Sequence, residues 1–187
     1  MDNIARKRKY RKSLNACIDE MTSDCRSVVE YGCMFGDRLA TLKTPEYKVG
    51  IEVHRPYLQV AKSRNPNAIY ICADVLEFIT QHFSFVGVDA IMMLDFLEHL
   101  RLEDALKVID HAKKTARARV IVFVPAGNHP QESDPYRMGG DYWQTHRSTW
   151  NGDMLLELDF DAVHLPKFHR RNGTYVGDGA VFATWEP

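Results

Sequence analysis

The chain has 187 residues, of which 45% are hydrophobic and 26% charged, with a formal net charge of −1. These values are typical of one globular domain spanning residues 1–187, and no apolar run approaches the length of a membrane span. The basic N-terminus has no apolar core of the kind found in a secretory signal, and the four cysteines show no C-x-x-C spacing. A cytoplasmic protein with free thiols is therefore expected.

Residues 1–12 hold an excess of positive charge, with six basic residues against Asp2. Apolar residues recur at helical spacing over 4–21, which predicts an amphipathic helix, so that residues 1–25 form a basic N-terminal helical segment. A basic run can contact phosphate groups. One short run falls far below a domain-wide basic surface, so a solvated helix face is the favoured interpretation.

Strands and helices then alternate along the chain. The pattern predicts strands at 27–31, 47–53, 68–72, 88–94, 120–124, 162–165 and 180–185, and helices at 37–42, 56–65, 75–82, 102–115 and 151–158. This order predicts a Rossmann-like, doubly wound α/β fold. Its seven-stranded sheet is mostly parallel with an antiparallel last strand, and helices cover both faces. Because no helix separates the last two strands, they are expected to form a hairpin-like edge.

The first strand runs into a turn with glycines at positions 32 and 36, followed by a helix. Glycine permits a sharp turn and close approach of a ligand, and such a turn is expected to point free N–H groups at whatever lies above the strand end. In open α/β sheets, ligands bind beyond the carboxyl ends of the strands. Acidic residues stand at four such ends, namely Glu30, Glu52, Asp74 and Asp95.

The spacing of these acids fits a nucleoside. Glu52 lies 20 residues past Gly32, where a carboxylate can accept both hydroxyls of a ribose. Asp74 lies 22 residues further on, where it can accept an adenine amine while the Val75 N–H donates to the ring. The alternative is that each acid only caps the helix that follows it. A dinucleotide fingerprint is disfavoured, because Met34 and Asp37 replace two of its three glycines.

Residues 30–36 (EYGCMFG) resemble motif I of the class I S-adenosylmethionine-dependent methyltransferases, E/D-x-G-x-G-x-G, with Met34 at the middle glycine. Residues 50–52 resemble the ribose motif of that family and residues 72–75 its adenine motif. Residues 95–100 (DFLEHL) are similar to the segment after strand four in the methyltransferase-11/23-like group. The resemblance implies S-adenosylmethionine as cofactor and S-adenosylhomocysteine as product. It implies cofactor contacts at Glu30, Tyr31, Gly32, Cys33, Gly36, Glu52, Val53, Asp74, Val75, Leu94 and Asp95.

Residues 126–148 are predicted to form a long loop, which we interpret as a substrate loop or lid. The segments 134–136 (DPY) and 146–150 (HRSTW) resemble the substrate-loop pattern of the same group. The resemblance places Tyr136 and Trp150 against the substrate. The alternative is that the aromatic residues of this region pack the loop onto the sheet edge.

His99 and His146 are the predicted catalytic residues, with His129 as a third candidate, because a histidine near neutral pH can remove a proton from an acceptor. Three interpretations of Glu98 and His99 remain open. They orient the helix that begins near residue 102, they contact the substrate, or with Asp95 they hold a divalent metal ion. The metal is the least favoured of the three, and no metal ligand is assigned.

The predicted function is transfer of a methyl group to an oxygen or nitrogen atom of a small metabolite or sugar-like acceptor. Methylation of nucleic acid or protein is less favoured, since no base-flipping motif or added recognition domain is present. A third possibility is a relative that binds the cofactor without catalysis. No membrane partner is expected, and the protein is predicted to be a monomer or a homodimer.

Overall fold

The computed structural model describes residues 14–81, 87–168, 170–171, 174–175 and 177–187. Seven α-helices are present in these residues: α1 Leu14–Met21, α2 Asp37–Thr41, α3 Arg55–Arg64, α4 Val75–Thr80, α5 Leu102–Thr115, α6 Asp141–Gln144 and α7 Gly152–Glu157. A 3₁₀ turn at Leu97–His99 precedes α5. The basic run at residues 1–12, and with it the first part of the predicted N-terminal helix, lies outside the described residues.

Nine strands are described: β1 Ser27–Tyr31, β2 Tyr47–Glu52, β3 Ile69–Cys72, β4 Ala90–Leu94, β5 Arg119–Pro125, β6 Asp161–Leu165, β7 Arg170–Arg171, β8 Thr174–Tyr175 and β9 Ala180–Trp185. Seven of them form one sheet in the order β3-β2-β1-β4-β5-β9-β6, and β7 pairs with β8 in a separate hairpin. Strand β9 is antiparallel to both of its neighbours. The other six strands of the sheet run parallel, which confirms the predicted fold class.

The sheet is covered on both faces. Alternate residues of the central strand β4 point to opposite sides, as the two-residue period of a strand requires. Ile91 and Met93 join α5 and α7 in one hydrophobic cluster. Met92 and Leu94 join α1, α2 and α3 in the other. No described helix is long and apolar enough to cross a membrane.

Most element ends lie within two residues of the prediction. The predicted hairpin-like edge is confirmed, since β6 and β9 pair antiparallel at one edge of the sheet. The strand order there was not predicted, because β9 inserts between β5 and β6 and leaves β6 outermost. Strand β9 pairs along its whole length with β5, from Val120 opposite Trp185 to Pro125 opposite Ala180. Helix α6, the 3₁₀ turn and the β7–β8 hairpin were not predicted, since each is too short to show a periodic pattern.

Trp150 lies in the interior of this fold. Its side chain is fully buried among residues of the cluster that contains α5. Its indole N–H donates to the Ser148 hydroxyl at 2.9 Å, and its backbone bridges to Ala126 and Gly127 just past β5. The side chain therefore holds the segment after β5 onto the sheet, and the predicted role of Trp150 in substrate contact is wrong.

We expect Trp150→Ala to lower the free energy of unfolding by about 3–5 kcal/mol, because it leaves a cavity in the core. Trp143→Ala is the matched control, since that indole is only half-buried, and it should lower the free energy by about 1 kcal/mol or less. Urea denaturation of both variants measures the difference. Equal losses in the two variants would contradict the assignment of Trp150 to the core.

Candidate functional site

A cavity of about 630 Å³ lies at the carboxyl ends of the parallel strands. This volume falls within the range of about 300–1,000 Å³ that is common for small-molecule sites. The four predicted carboxylates, those of Glu30, Glu52, Asp74 and Asp95, all line it. They meet because parallel register aligns their strands, with Glu30 of β1 opposite Gly50 of β2 and Met92 of β4.

The turn after β1 forms the floor of the cavity, and three of its residues have a positive φ. Gly32 and Gly36 have φ near 70°, and Met34 has φ 46°. A side chain at Gly32 would clash with the Phe96 ring, since a Cβ there would lie 2.4 Å from Cδ2. Met34 stands where the motif has its middle glycine, and its backbone is left-handed like that of a glycine. This conformation is unfavourable for an L-residue by about 1–2 kcal/mol.

The N–H groups of this turn are largely used within the protein. Those of Gly32 and Cys33 donate to the Ile51 carbonyl at 2.9 and 3.1 Å, and that of Gly36 donates to the Cys33 carbonyl at 2.7 Å. The Met34 N–H donates to the Glu52 carboxylate at 3.0 Å. These four N–H groups are therefore not available to a ligand, which disfavours a phosphate-binding nest at this turn.

Glu52 joins two parts of the site. Its second carboxylate oxygen accepts the His54 N–H at 2.8 Å, so the side chain ties the end of β2 to the turn after β1. Burial raises the pKa of Glu52, while the N–H groups of His54 and Met34 oppose that shift. Both oxygens face donors and still have lone pairs, which leaves the carboxylate able to accept further hydrogen bonds.

Glu30 is the least solvated acid of the site. It is 3% exposed, and its Oε2 has no hydrogen-bond partner in the protein. Burial raises its pKa to about 8, although the positive charge of Arg38 opposes the shift. The Asp95 side chain is exposed at the cavity. The surrounding protein nevertheless removes much of the hydration of its carboxylate, which raises the pKa of Asp95 to about 6.

Asp74 caps a helix and also lines the cavity. Its Oδ1 caps α4 by accepting the N–H groups of Leu76 and Glu77 at 2.7 and 3.4 Å. The same residue lines the cavity together with Val75. Capping uses only one oxygen of the carboxylate, so the other remains available to an amine donor.

Most of the predicted site residues reach the cavity wall, but Tyr31, Gly36 and the buried Trp150 do not. The Tyr31 side chain is fully buried on the far side of β1, where its hydroxyl lies 3.3 Å from His111 Nδ1. Gly36 faces the Tyr70 hydroxyl. The residues that do line the cavity are Glu30, Gly32, Cys33, Glu52, Val53, Asp74, Val75, Leu94, Asp95, His99, Tyr136 and His146.

One buried carboxylate shapes part of the 126–148 segment. Asp134 accepts the N–H groups of Tyr136, Met138 and Gly140 at 2.8, 2.6 and 3.1 Å. Burial favours a higher pKa, but the neighbouring Tyr57 hydroxyl and these N–H groups outweigh it and hold the pKa of Asp134 below its usual value. The resulting turn places the Tyr136 ring edge-on to Phe35, with ring centres 4.9 Å apart.

The histidines meet because residues 145–148 are fastened to the 3₁₀ turn. The Glu98 carbonyl accepts the N–H groups of Arg147 and Ser148 at 2.7 and 3.1 Å. This brings the rings of His99 and His146 to 4.8 Å between centres, beside the cavity. Burial lowers the pKa of His99 to about 4 and also lowers that of His146. Both imidazoles are therefore neutral at pH 7 and able to accept a proton or bind an ion.

Glu98 and His99 do not cap α5. The N-cap of this helix is Arg101, with no side-chain hydrogen bond to the helix N-terminus. The Glu98 side chain is buried, and its Oε2 has no partner. The suggestion that these residues only orient the helix therefore finds no support in the contacts of the described residues.

Several residues of the cavity wall were not predicted, among them Met34, Phe35, Asp37, Arg38, Phe96, Gln131 and Gln144. Among the described wall residues, Arg38 is the only arginine or lysine. Its place in the first turn of α2, two residues after Gly36, is a sequence feature that could have identified it. The excess of carboxylates over this one guanidinium favours a cationic or neutral ligand over a polyphosphate.

The raised pKa of Glu30 makes stability depend on pH. Between its ordinary value of 4.5 and about 8, the folded protein holds a proton that the unfolded chain has lost. Each pH unit in this range therefore lowers the free energy of unfolding by about 1.4 kcal/mol. We expect Glu30→Gln to remove this loss, so that its stability relative to the wild type rises from pH 5 to pH 8. Denaturation at several pH values tests this, with the exposed Glu157→Gln as control; parallel curves for wild type and Glu30→Gln would contradict it.

The positive φ of Met34 predicts a difference between two substitutions. Met34→Gly and Met34→Ala remove the same side chain, but only glycine relieves the left-handed strain. We expect the glycine variant to be more stable than the alanine variant by about 1 kcal/mol, as measured by chemical denaturation. An alanine variant as stable as the glycine variant would show that the turn does not hold this conformation.

No protein-family model matches the chain, and no curated protein matches it in sequence. Solved structures do match its fold. N-methyltransferase NodS from Bradyrhizobium japonicum has a TM-score of 0.63 and 15% identity, covering 99% of this chain and 97% of that chain. The methyltransferase domain of bacterial CtHen1 has a TM-score of 0.61 and 16% identity, covering 99% and 100%.

Magnesium protoporphyrin IX methyltransferase (ChlM) from Synechocystis, with bound S-adenosylmethionine, also matches the fold. Its TM-score is 0.61 and its identity 13%, covering 98% of this chain and 84% of that chain. The match extends over nearly the whole chain in all three cases, whereas the identities are low. The strand order and the antiparallel β9 belong to the common fold of these enzymes. The chain therefore has the fold of the class I S-adenosylmethionine-dependent methyltransferases.

Proposed function

We propose that this protein is an S-adenosylmethionine-dependent methyltransferase. The observation that carries the proposal is the meeting of four carboxylates, from the ends of four neighbouring parallel strands, around one cavity above a glycine-rich turn. Three solved structures, of two proteins with this fold, contain S-adenosylmethionine or S-adenosylhomocysteine. The acidic wall suits the sulfonium and amine charges of this cofactor.

The adenosine half is assigned to the outer strands β2 and β3. Glu52 is placed to accept the ribose hydroxyls with the lone pairs left over from its two backbone bonds. Asp74 is placed to accept the adenine amine with the oxygen that does not cap α4. This arrangement leaves the methionine half over the turn after β1, beside Glu30 and Asp95.

A nicotinamide dinucleotide is disfavoured by the same geometry. Its pyrophosphate needs free backbone N–H groups or basic side chains at the turn after β1. Here the N–H groups of Gly32, Cys33, Met34 and Gly36 have acceptors within the protein. Carboxylates on the facing strand ends would repel phosphate charge.

In the proposed reaction, a lone pair of the acceptor attacks the methyl carbon of the sulfonium in line with the C–S bond. That bond breaks, its electron pair returns to sulfur, and S-adenosylhomocysteine leaves as a thioether. The acceptor's proton leaves to water on the side of the cavity that the neutral His99 and His146 line. The protein chiefly supplies alignment and exclusion of water.

The acceptor is proposed to be a small molecule methylated on oxygen or nitrogen. The part of the cavity left beside the cofactor is bordered by Tyr136, Trp143 and the two histidines. An enclosure of this size suits a metabolite or a sugar-like ring better than a folded macromolecule. The printed names of the structural neighbours differ in acceptor, so they do not narrow the choice further.

Calorimetric titration with S-adenosylhomocysteine tests the cofactor assignment. We expect the wild type to bind it and Glu52→Ala to bind about 10- to 100-fold more weakly, because hydrogen bonds to a charged group contribute on the order of 1.5–3 kcal/mol. Glu46→Ala on the surface is the control and should bind as the wild type does. Unchanged affinity in Glu52→Ala would reject the ribose assignment, and absence of binding to the wild type would reject the proposed function.

A further inference from the structure

Three side chains that bind metals in other proteins meet at the edge of the cavity. One ligand atom from each of Glu98, His99 and His146 lies within 4.8 Å of the other two. Glu98 and His99 come from the 3₁₀ turn after β4, whereas His146 comes from the segment that precedes Trp150. The main-chain bonds between residues 147–148 and Glu98 hold the two segments together.

The contacts of the described residues do not explain why the Glu98 carboxylate is buried. It is 2% exposed, and its Oε2 makes no hydrogen bond within the protein. The Nδ1 atom of His99 is also buried without a partner. A buried carboxylate oxygen without a donor is unfavourable by several kcal/mol, so such groups are normally paired or bound to a cation.

The orientation of His146 suits a ligand. Its Nδ1 lies within hydrogen-bonding distance of the His129 carbonyl, which can only accept, so Nδ1 carries the proton. Nε2 is then left with a free lone pair. A backbone carbonyl that fixes the imidazole in this way is the usual second partner of a histidine that binds a metal ion.

We propose that Glu98, His99 and His146 bind a divalent first-row transition-metal ion. Bonds of about 2.0–2.2 Å place ligand atoms roughly 3–4 Å apart, so the three side chains need to close by about 1 Å around the ion. Two imidazoles with one carboxylate favour Mn²⁺, Fe²⁺, Co²⁺ or Zn²⁺ over Mg²⁺ and Ca²⁺, which prefer oxygen ligands. Asp95 does not belong to the group and lines the cavity instead.

The position of the ion indicates which class of acceptor is methylated, an inference that rests on the proposed function. His99 and His146 both line the cavity, so the remaining coordination positions face the space for the acceptor. A metal ion there binds an acceptor hydroxyl and lowers its pKa, so that the proton leaves to water. The resulting oxygen anion takes the methyl group as the C–S bond breaks. The acceptor class is therefore a hydroxyl compound, and the histidines hold the ion rather than remove the proton.

Metal binding is tested first, without turnover. Untagged protein freed of metal by a chelator is titrated with Zn²⁺ by calorimetry and with Co²⁺ by visible absorption. We expect one ion per chain with micromolar or tighter affinity, and a Co²⁺ spectrum with nitrogen ligands. Glu98→Gln and His146→Gln should each weaken binding at least tenfold, whereas His164→Gln, on strand β6, should leave it unchanged.

The second test asks whether the ion has an open position. Acetohydroxamate, a compound that binds metals through two oxygen atoms, is added to the Co²⁺-loaded protein. We expect the visible spectrum to change both without and with S-adenosylhomocysteine, because the open coordination positions face the space beside the cofactor. An unchanged spectrum would overturn the assignment of a hydroxyl acceptor to this ion.

The outcomes separate this inference from the proposed function. If no cation binds, or if binding survives both Glu98→Gln and His146→Gln, the metal site is wrong even when S-adenosylhomocysteine binds normally. If a cation binds but S-adenosylhomocysteine does not, the metal site stands and the methyltransferase proposal falls. Circular dichroism of each variant confirms that lost binding does not reflect lost folding.

Discussion

The site depends on one buried side chain, the Glu52 carboxylate. Its two oxygens hold the N–H groups of Met34 and His54, and so join the turn after β1 to the end of β2. A carboxylate in that place is stable only because both backbone donors offset the loss of hydration. Since the donors occupy only some of its lone pairs, the group that fixes the floor of the cavity is also free to contact a ligand.

Much of the fold was predictable, because a buried parallel sheet leaves a strong apolar pattern. The strands around Val28 and Ile91 and helix α5 follow directly from it. The acids at strand ends were predictable for the same reason, since parallel register places them at one edge. The position of β9 was not, because it depends on pairing with β5, about 60 residues away in sequence.

Within the site, sequence resemblance failed where a side chain's direction mattered. Trp150 follows a substrate-loop pattern, yet its ring points into the core. Tyr31 and Gly36 belong to motif I, but neither lines the cavity. Tyr31 points to the other side of β1, as alternate residues of a strand do, and Gly36 faces the Tyr70 hydroxyl. The approach of His146 to Glu98 also had no local pattern, because main-chain bonds between distant segments create it.

The Asp134 turn shows how such an enzyme can change its acceptor. The carboxylate accepts main-chain N–H groups of residues 136, 138 and 140. These hydrogen bonds do not depend on which side chains positions 136 and 138 carry, whereas a side chain at Gly140 would clash with the Tyr57 hydroxyl. Tyr136 and its neighbours can be exchanged while the backbone keeps its path, so evolution or protein engineering can rebuild the mouth of the pocket without disturbing the cofactor floor beneath it.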